Sequence, residues 1–183
     1  MNFAKWFIVV VASLLGLFIL ATFFLPTDYY VERSVEINAP AIAVYPQVAD
    51  LEVWQEWNPW NELDPEMTIE YGEITVGKGA FYSWKSDVAG SGKMTITDAE
   101  APSMVSYELV FEGYENAPSF SKMLLATEDP LGPTTVTWTF EGSVGDKFFA
   151  RWMAFLMDKF VGTSYEQGLQ ALKERCESVA RES

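Results

Sequence analysis

The sequence predicts an α+β domain in which about seven antiparallel strands pack against one long C-terminal helix, preceded by a separate transmembrane helix. Three patterns predict this arrangement. An uncharged run extends from Trp6 to Leu25, short stretches with strand periodicity fill the chain from Tyr29 to Glu141, and a helical pattern follows from Asp146 to about Val179. The strands have apolar faces without a partner, and the last helix is the only element long enough to cover them.

The N-terminal apolar run predicts a membrane anchor over residues 1–25. At about 1.5 Å per residue, the segment from Trp6 to Leu25 spans about 30 Å, which matches the hydrocarbon thickness of a bilayer. A cleaved signal peptide usually has a shorter apolar core and small residues at its cleavage site, whereas this run ends in bulky residues before Pro26. We therefore favour an uncleaved anchor over a signal peptide.

Charges on either side of this run predict its orientation. Lys5 and the terminal amine precede it, whereas Asp28 and Glu32 follow it. The positive-inside tendency places the N-terminus in the cytoplasm and the globular part on the outer or periplasmic side. Residues 26–28 form a linker with a reach of about 10 Å, so the domain predicted at 29–183 would lie against the bilayer.

Composition excludes several classes of function. The 183 residues include 12 basic and 26 acidic side chains, and the net charge of −14 disfavours nucleic-acid binding and adhesion to anionic lipid head groups. The chain has no histidine, which excludes Ser-His and Cys-His catalytic pairs. The single cysteine, Cys176, lies on an apolar helix face and predicts a buried, inert thiol. No metal site and no cofactor are predicted.

The region before the last helix predicts strands separated by turns. Residues 29–37 alternate between apolar and polar side chains, which indicates the first strand. A short helix is predicted over 41–48, where Pro40 suits the start and Pro46 would disturb the interior. Short turns with glycine or proline predict an antiparallel meander. Its six strands are predicted at 67–71, 80–87, 93–99, 104–111, 120–127 and 134–141.

The long C-terminal helix carries one apolar stripe, because residues three and four positions apart share a helix face. The stripe consists of Tyr165, Leu169, Leu172, Cys176 and Val179. The first half of the helix is apolar on all sides, which predicts burial under further layers or contact with a ligand, a lipid or a partner. Gly162 and Gly168 predict a bend or a close approach to a strand, since glycine weakens a helix interior by about 1 kcal/mol.

The order of elements and three stretches of sequence resemble a known superfamily. These stretches are VERSVEINAPAIAVYPQVADLEVWQEWNPW, GKGAFYSWKSDVAGSGKMTI and MDKFVGTSYEQGLQALKE. Over residues 28–177 the chain is similar to the polyketide cyclase/dehydrase and lipid-transport branch of the START-like, or SRPBCC, superfamily. The resemblance implies the helix-grip fold, a curved antiparallel sheet around a long C-terminal helix with a hydrophobic ligand cavity between them. Because this superfamily contains lipid and sterol carriers, hormone receptors and aromatic cyclases, it implies a pocket more firmly than a reaction.

Aromatic and aliphatic side chains are the candidates for lining such a cavity. The candidates are Trp54, Trp57, Trp60, Tyr82, Trp84, Met94, Tyr107, Trp138, Phe140, Trp152 and Leu156. The resemblance places the first three tryptophans near the cavity mouth. The alternative is a dry core that the same side chains fill completely.

One charged residue shares a strand face with apolar neighbours. Arg33 has the same parity as Val31 and Val35, and burying it without a partner would cost several kcal/mol. It is therefore a candidate polar anchor for the carboxylate or phosphate of an amphipathic ligand. The alternative is an arginine at a solvated strand end, with its charged head in water.

Three functions fit these patterns, and the first is favoured. The first is a membrane-anchored protein that binds or transports a lipid or another hydrophobic small molecule. The second is an interaction module whose apolar helix half docks on a partner or a membrane without any ligand. The third is an enzyme of the cyclase or dehydratase kind, for which only Tyr82, Tyr107, Glu70 or Asp87 could supply an acid or base inside the pocket. No catalytic residue is predicted, and the ligand and the oligomeric state stay open.

Overall fold

The computed structural model describes residues 2–88 and 90–182 and has the predicted α+β architecture. One apolar helix precedes a sheet with short helices inserted after its first strand, and a long helix closes the chain. The elements are α1 (Asn2–Phe23), β1 (Asp28–Ile37), α2 (Ala41–Ala49), α3 (Leu51–Trp54), α4 (Trp60–Leu63), β2 (Thr68–Tyr71), β3 (Phe81–Lys85), β4 (Gly92–Glu100), β5 (Met104–Phe111), β6 (Ser119–Ala126), β7 (Thr134–Ser143) and α5 (Ala150–Glu182). The helix α2 continues through Pro46 to Ala49, so the proline does not shorten it as expected.

The seven strands form one antiparallel sheet in the order β1-β7-β6-β5-β4-β3-β2. Strands β2 to β7 make the predicted meander, and β1 closes the other edge by pairing with β7, with Val31 opposite Phe140. A register shift between Ile96 and Asp98 interrupts the β4 to β5 ladder, and such irregularities increase local twist. The resulting curved sheet has a concave face, on which α5 lies.

The second half of α5 covers a filled core. Tyr165, Leu169, Leu172 and Cys176 are buried, as the apolar stripe predicts. Val179 is 54% exposed, so the prediction that it continues the buried stripe is wrong. The reason is position: Glu177 already accepts a hydrogen bond from the backbone N–H of Asn38, just after β1 ends, and the next turn of α5 lies beyond the sheet.

The two glycines of α5 mark close approaches rather than a helix end. The helix runs without interruption from Ala150 to Glu182, beginning four residues later than predicted. A Cβ atom at Gly162 would collide with the guanidinium of Arg33, and one at Gly168 would lie 3.0 Å from the ring of Trp138. Both glycines therefore let β1 and β7 approach the helix, which is one of the two predicted roles.

Among the residues that the structure describes, one helix is long and apolar enough to cross a membrane. It covers Phe3–Phe23 with a mean hydropathy of 2.6, and only 6% of its most apolar window is buried against the rest of the chain. Length and composition of this kind are shared by membrane anchors and signal sequences.

The end of α1 packs on the first turns of α5. The rings of Phe18 and Trp152 stack with centroids 4.9 Å apart, and the indole Nε1 of Trp152 donates to Thr22 Oγ1 at 2.9 Å. Arg151 donates to the backbone oxygen of Phe23 at 3.2 Å, which places a positive charge at the negative end of the α1 dipole. These contacts hold the end of α1 against the first turns of α5, which also border the space described next.

Candidate ligand-binding chamber

A chamber of about 520 Å³ lies between the concave face of the sheet and the first half of α5. Aromatic, methionine and aliphatic side chains make up most of its wall. Its lining includes Tyr29, Trp54, Trp60, Met67, Tyr82, Trp84, Met94, Leu109, Phe111, Tyr114, Trp138, Phe140, Met153, Met157, Val161 and Tyr165. A partly open apolar space of this size is typical of small-molecule sites.

Small side chains on β6 explain why the chamber is not filled. Alternate residues of this strand point toward α5, and they are Ser119 and Ser121 at one end but Met123 and Leu125 at the other. A serine side chain fills little of the space between sheet and helix, whereas methionine and leucine pack into the core. The same strand therefore borders an open space at its start and a close-packed core at its end.

Four aromatic rings close the inner end of the chamber. Trp138 stacks on Tyr165 with ring centroids 3.7 Å apart and planes 14° from parallel. Trp54 and Trp60 meet the Trp138 ring edge-on, at 5.2 Å and 5.8 Å. Edge-on and stacked contacts of this kind stabilise aromatic clusters beyond the area they bury. These four rings form the floor of the chamber, and all of them except Trp60 also belong to the buried core.

The hydroxyl groups at this floor are engaged with protein atoms. Ser121 donates to the backbone oxygen of Thr139 at 2.8 Å and accepts from Trp138 Nε1 at 2.9 Å. The hydroxyl of Tyr165 lies 3.3 Å from the same serine oxygen, and that of Tyr29 lies 2.7 Å from Ser119. Burial raises the pKa of Tyr165 and of Tyr29 above the ordinary tyrosine value. Both phenols therefore stay protonated at neutral pH and act as hydrogen-bonding groups, not as bases.

Two loops and the start of α5 supply another part of the chamber wall. Tyr114 follows β5 and lines the chamber, and Lys147, after β7, places its ammonium 4.1 Å from the centre of the Tyr114 ring. Val144 and Met153 also line the chamber. Glu112 is the only carboxylate among the described lining residues, and it is exposed.

Seven of the eleven side chains predicted to line a cavity do so. They are Trp54, Trp60, Tyr82, Trp84, Met94, Trp138 and Phe140. Trp57 and Tyr107 are buried behind the wall, where they bond to α2: Trp57 Nε1 donates to the backbone oxygen of Gln47 at 2.9 Å, and the Tyr107 hydroxyl donates to that of Val48 at 2.7 Å. These two predicted contacts are wrong, because both side chains hold α2 on the sheet.

The two predicted contacts from α5 are also corrected. Trp152 turns to α1, as described above, and Leu156 is outside the chamber lining. Met153, Met157 and Val161 line the chamber instead. Extending the buried stripe backward from Tyr165 in steps of four leads to Val161 and Met157, so the helical period predicts these two lining residues. Trp152 and Leu156 were chosen for the size of their side chains instead.

Arg33 does not reach the chamber. Its Nε donates to Glu166 Oε1 at 2.7 Å and its Nη1 donates to Asp158 Oδ1 at 2.9 Å, and both carboxylates belong to α5. The arginine therefore joins β1 to the helix with its head group partly solvated, and its role as a polar anchor for a ligand stays a prediction. The Arg33 guanidinium lowers the pKa of Asp158 by hydrogen bonding.

The two carboxylates considered as possible catalytic groups, Glu70 and Asp87, are exposed and lie outside the chamber lining. Several further lining residues were not predicted from the sequence. Phe111 on β5 shares its parity with the buried Tyr107, so strand alternation would have found it. Met67 lies just before β2, and Tyr114 lies in the loop after β5.

A family model described as polyketide cyclase/dehydrase and lipid transport matches residues 30–177 of this chain. No curated protein matches the chain.

Solved structures with the same fold come from distant organisms. Norcoclaurine synthase of Thalictrum flavum, solved as a point mutant with a transition-state analogue, superposes with a TM-score of 0.63 at 10% identity, covering 85% of this chain and 97% of its own. A Thermobifida fusca protein superposes with a TM-score of 0.59 at 20% identity, covering 80% of this chain and 92% of its own. The hypothetical protein jhp0584 of Helicobacter pylori gives 0.62 at 11% identity, with 82% and 89% covered. Identities this low indicate a shared fold only.

Proposed function

The chain belongs to the polyketide cyclase/dehydrase and lipid transport family, and from this premise we propose that it binds a hydrophobic small molecule, or carries it, at a membrane surface. The observation that carries this proposal is the chamber of about 520 Å³ with a largely apolar, aromatic wall. Close packing is the rule inside proteins, so an open space of this size requires a reason. A bound apolar molecule would supply that reason by covering the exposed rings.

The groups in the chamber favour binding over catalysis. Cyclisation and dehydration need an acid or a base with a suitable pKa beside the substrate. The inner tyrosines Tyr82 and Tyr165 have pKa values raised by burial, which makes them poor bases at neutral pH. Glu112, the one carboxylate among the described lining residues, is exposed to solvent. Hydroxyl groups held in this way suit recognition of a ligand, so an enzyme is the less favoured function.

The position of α1 supports a site at a membrane. We propose an anchor at 1–25, a linker at 26–28 and a binding domain at 29–183. The stacking of Phe18 on Trp152 and the bond from Arg151 to Phe23 hold the apolar helix against the first turns of α5, the half of the helix that borders the chamber. Large apolar side chains are also exposed at and just before this half of α5; they are Phe149, Phe155 and Phe160. In this arrangement a ligand would pass between bilayer and chamber without crossing much water.

The orientation of the anchor is part of the proposal. Lys5 favours a cytoplasmic N-terminus and a domain on the outer or periplasmic face. Protease added to spheroplasts would then digest the domain while the membrane is intact. A domain that resists protease until the membrane is permeabilised would place it on the cytoplasmic side.

The binding proposal is tested with the full-length protein purified from its native host in nanodiscs. Organic extraction and mass spectrometry of the wild type are compared with Leu109→Trp. Leu109 lines the chamber and is paired with Ser119 across the sheet, so an indole there would occupy open space. Leu131→Trp, in an exposed loop, introduces the same side chain outside the chamber.

The expected result is one hydrophobic compound enriched with the wild type and with Leu131→Trp, and reduced at least about tenfold with Leu109→Trp. Empty nanodiscs set the background of lipid. Equal recovery from all three proteins, or recovery no greater than from empty nanodiscs, would contradict the proposal.

The second candidate is an interaction module without a ligand. It is supported by the exposure of Phe149 and Phe160, which a partner protein or the bilayer could cover. Extraction that finds no ligand, together with co-purification of one partner lost on Phe160→Ser, would favour this alternative.

A further inference from the structure

The first half of α5 carries a second apolar stripe, on the side opposite the buried stripe. Phe149, in the turn before the helix, and Trp152, Leu156 and Phe160 within it are spaced by three, four and four residues, which places them on one face. None of the four is among the described residues that line the chamber. Phe149 and Phe160 are 73% and 66% exposed, and the other two are half-buried. We call these four residues the outer stripe.

The end of α1 packs on the same part of α5. The Phe18 ring stacks on Trp152 with centroids 4.9 Å apart, and the Phe23 ring meets the Phe148 ring at 5.4 Å. Phe18 lies five residues before the end of α1, which is about 7.5 Å along the helix axis. The first turns of α5 therefore lie beside roughly the last turn and a half of α1, not beyond its end. Through Trp152 the outer stripe is continuous with the apolar surface of α1.

The length of α1 leaves little room for such an overlap outside a membrane. The candidate span Phe3–Phe23 has 21 residues and is about 31 Å long, close to the bilayer core of about 30 Å. If the part from Phe18 onward stood in water beside α5, the 15 residues from Phe3 to Leu17 would reach only about 22 Å. An α1 that crosses the bilayer therefore brings the adjoining turns of α5 to membrane depth.

Polar groups at this junction bond to one another. The indole Nε1 of Trp152 donates to Thr22 Oγ1 at 2.9 Å, and that hydroxyl donates to the backbone oxygen of Phe18 at 2.8 Å. Arg151 donates to the backbone oxygen of Phe23 at 3.2 Å, at the end of α1 where carbonyls lack partners within the helix. Lipid chains offer no hydrogen bonds, so polar groups inside a bilayer need partners from the protein. The junction meets this requirement.

We propose that the first half of α5, from Phe149 to Phe160, lies at the boundary between head groups and acyl chains of the bilayer that α1 crosses, with the outer stripe in contact with lipid. This inference rests on the proposed function, because it requires α1 to be a membrane anchor. It also deepens that function. Met157 and Val161 of the same turns line the chamber, so the segment in contact with lipid is also a wall of the binding site.

The charges of the chain favour contact with the apolar part of the lipid over attraction to its head groups. The net charge is −14, so attraction to anionic lipid does not supply the affinity. Burial of the outer stripe does, since apolar area buried at the bilayer boundary drives the binding of interfacial helices. Arg151 and Lys159 adjoin the stripe in sequence, and their long stems let the charged ends reach the head groups. Docking is therefore expected in zwitterionic lipid and at high salt alike.

The test measures the surroundings of a nitroxide spin label on the full-length protein in nanodiscs of zwitterionic phosphatidylcholine, with one chain in each disc. In a Cys176→Ala background, single labels are attached at Phe160→Cys in the outer stripe and at Leu14→Cys in α1. The control is Leu131→Cys, which is 83% exposed in the loop before β7, at the end of the sheet away from Asp28. Each label reports its collisions with oxygen, which concentrates in hydrocarbon, and with a polar nickel chelate, which stays in water.

The ratio of oxygen to nickel collisions at Phe160→Cys is expected to exceed that at Leu131→Cys at least about tenfold, because transfer of a polar chelate into hydrocarbon is costly. A low ratio at Phe160→Cys with a high ratio at Leu14→Cys would overturn the inference and leave the anchor standing. Low ratios at both positions would overturn the inference and the anchor together. Few collisions with either reagent at Phe160→Cys would mean that protein covers the stripe, which overturns the inference in favour of the interaction module.

A second measurement uses the wild type alone. Hydroxyl radicals oxidise phenylalanine rings that water reaches, and Phe120 on β6 provides a matched ring at 45% exposure, compared with 66% for Phe160. Exposure within the chain alone would make Phe160 the faster to react. In nanodiscs the order should be reversed, because the bilayer shields Phe160. Faster oxidation of Phe160 than of Phe120 would overturn the inference.

Discussion

The two ends of the space between the sheet and α5 differ sharply in packing. At one end, Leu169 and Leu172 meet fully buried residues such as Ile96 and Val136. At the other end, Met157 and Val161 face a chamber of about 520 Å³. Both ends use the same sheet and the same helix. The difference teaches that side-chain size at a few inward positions, not the backbone arrangement, decides where this fold is solid and where it is hollow.

The two halves of α5 therefore have different roles. The filled end supplies burial of apolar surface, which stabilises the domain by about 25 cal/mol for each Å² removed from water. The open end forgoes part of that stabilisation and keeps a site for a ligand. Changes at the filled end should therefore act on unfolding, whereas changes at the open end should act on binding.

The largest effect is expected from truncation at the filled end. Leu172 is 0% exposed, and Leu172→Ala should lower the free energy of unfolding by about 2–5 kcal/mol through lost burial and a residual cavity. Met157→Ala, four turns earlier on α5, should cost less than about 1 kcal/mol, because Met157 is half-buried and borders open space. Urea unfolding of the full-length protein in detergent micelles, followed by tryptophan fluorescence, measures both. Equal losses of unfolding free energy at the two positions would contradict the difference between the filled end and the open end.

The alkylation rate of a thiol gives a second comparison of the filled and open ends, with little change in packing. Burial raises the pKa of Cys176 to about 11, so at pH 8 its thiolate fraction is far below that of a free cysteine. Alkylation of the folded protein should be slower than that of the unfolded chain by on the order of 100-fold.

A matched thiol at the open end provides the control for this measurement. In a Cys176→Ala background, Met157→Cys should place a thiol on the chamber wall, where reagent can enter through the mouth. It should react much faster than Cys176, as measured by mass spectrometry over time. Comparable rates at the two positions would show that the filled end also admits solvent.

The smallest effect is expected at the junction between β1 and α5. Arg33→Gln removes the ion pairs to Asp158 and Glu166, both of which are exposed carboxylates, so solvent screening keeps the loss below about 1 kcal/mol. The folded-state pKa of Asp158 is lowered, so its contribution is present above the ordinary carboxyl pKa and is lost as pH falls through the lowered value. Wild type and variant should therefore differ in unfolding free energy at pH 7 and converge near pH 2.

Ligand binding separates a structural Arg33 from an anchoring one. Because its guanidinium is held by α5 and does not line the chamber, Arg33→Gln should leave the amount of hydrophobic compound recovered by organic extraction unchanged within about twofold. A larger loss, with the fold intact by circular dichroism, would support the role of polar anchor that sequence parity predicts.

The positions of the strands and the closing helix were largely predictable, and the wall of the site was predictable in part. Strand alternation placed Tyr82, Met94 and Trp138 on the concave face, where they line the chamber. On α5, the choice of Trp152 over its neighbour Met153 was wrong, because a residue packed on α1 and a residue packed on the sheet are equally apolar in sequence. Composition does not tell one apolar partner from another.

By itself, the amino-acid sequence determined the α+β class, the antiparallel order, the apolar N-terminal helix and the buried stripe of α5, because periods of two and of about 3.6 report which faces avoid water. Only the tertiary structure decided that Ser119 and Ser121 border an open chamber and that Arg33 forms ion pairs with two carboxylates of α5. A period identifies the side of an element that is buried. The space left between two buried sides depends on pairs of residues far apart in the chain, whose distances no local pattern records.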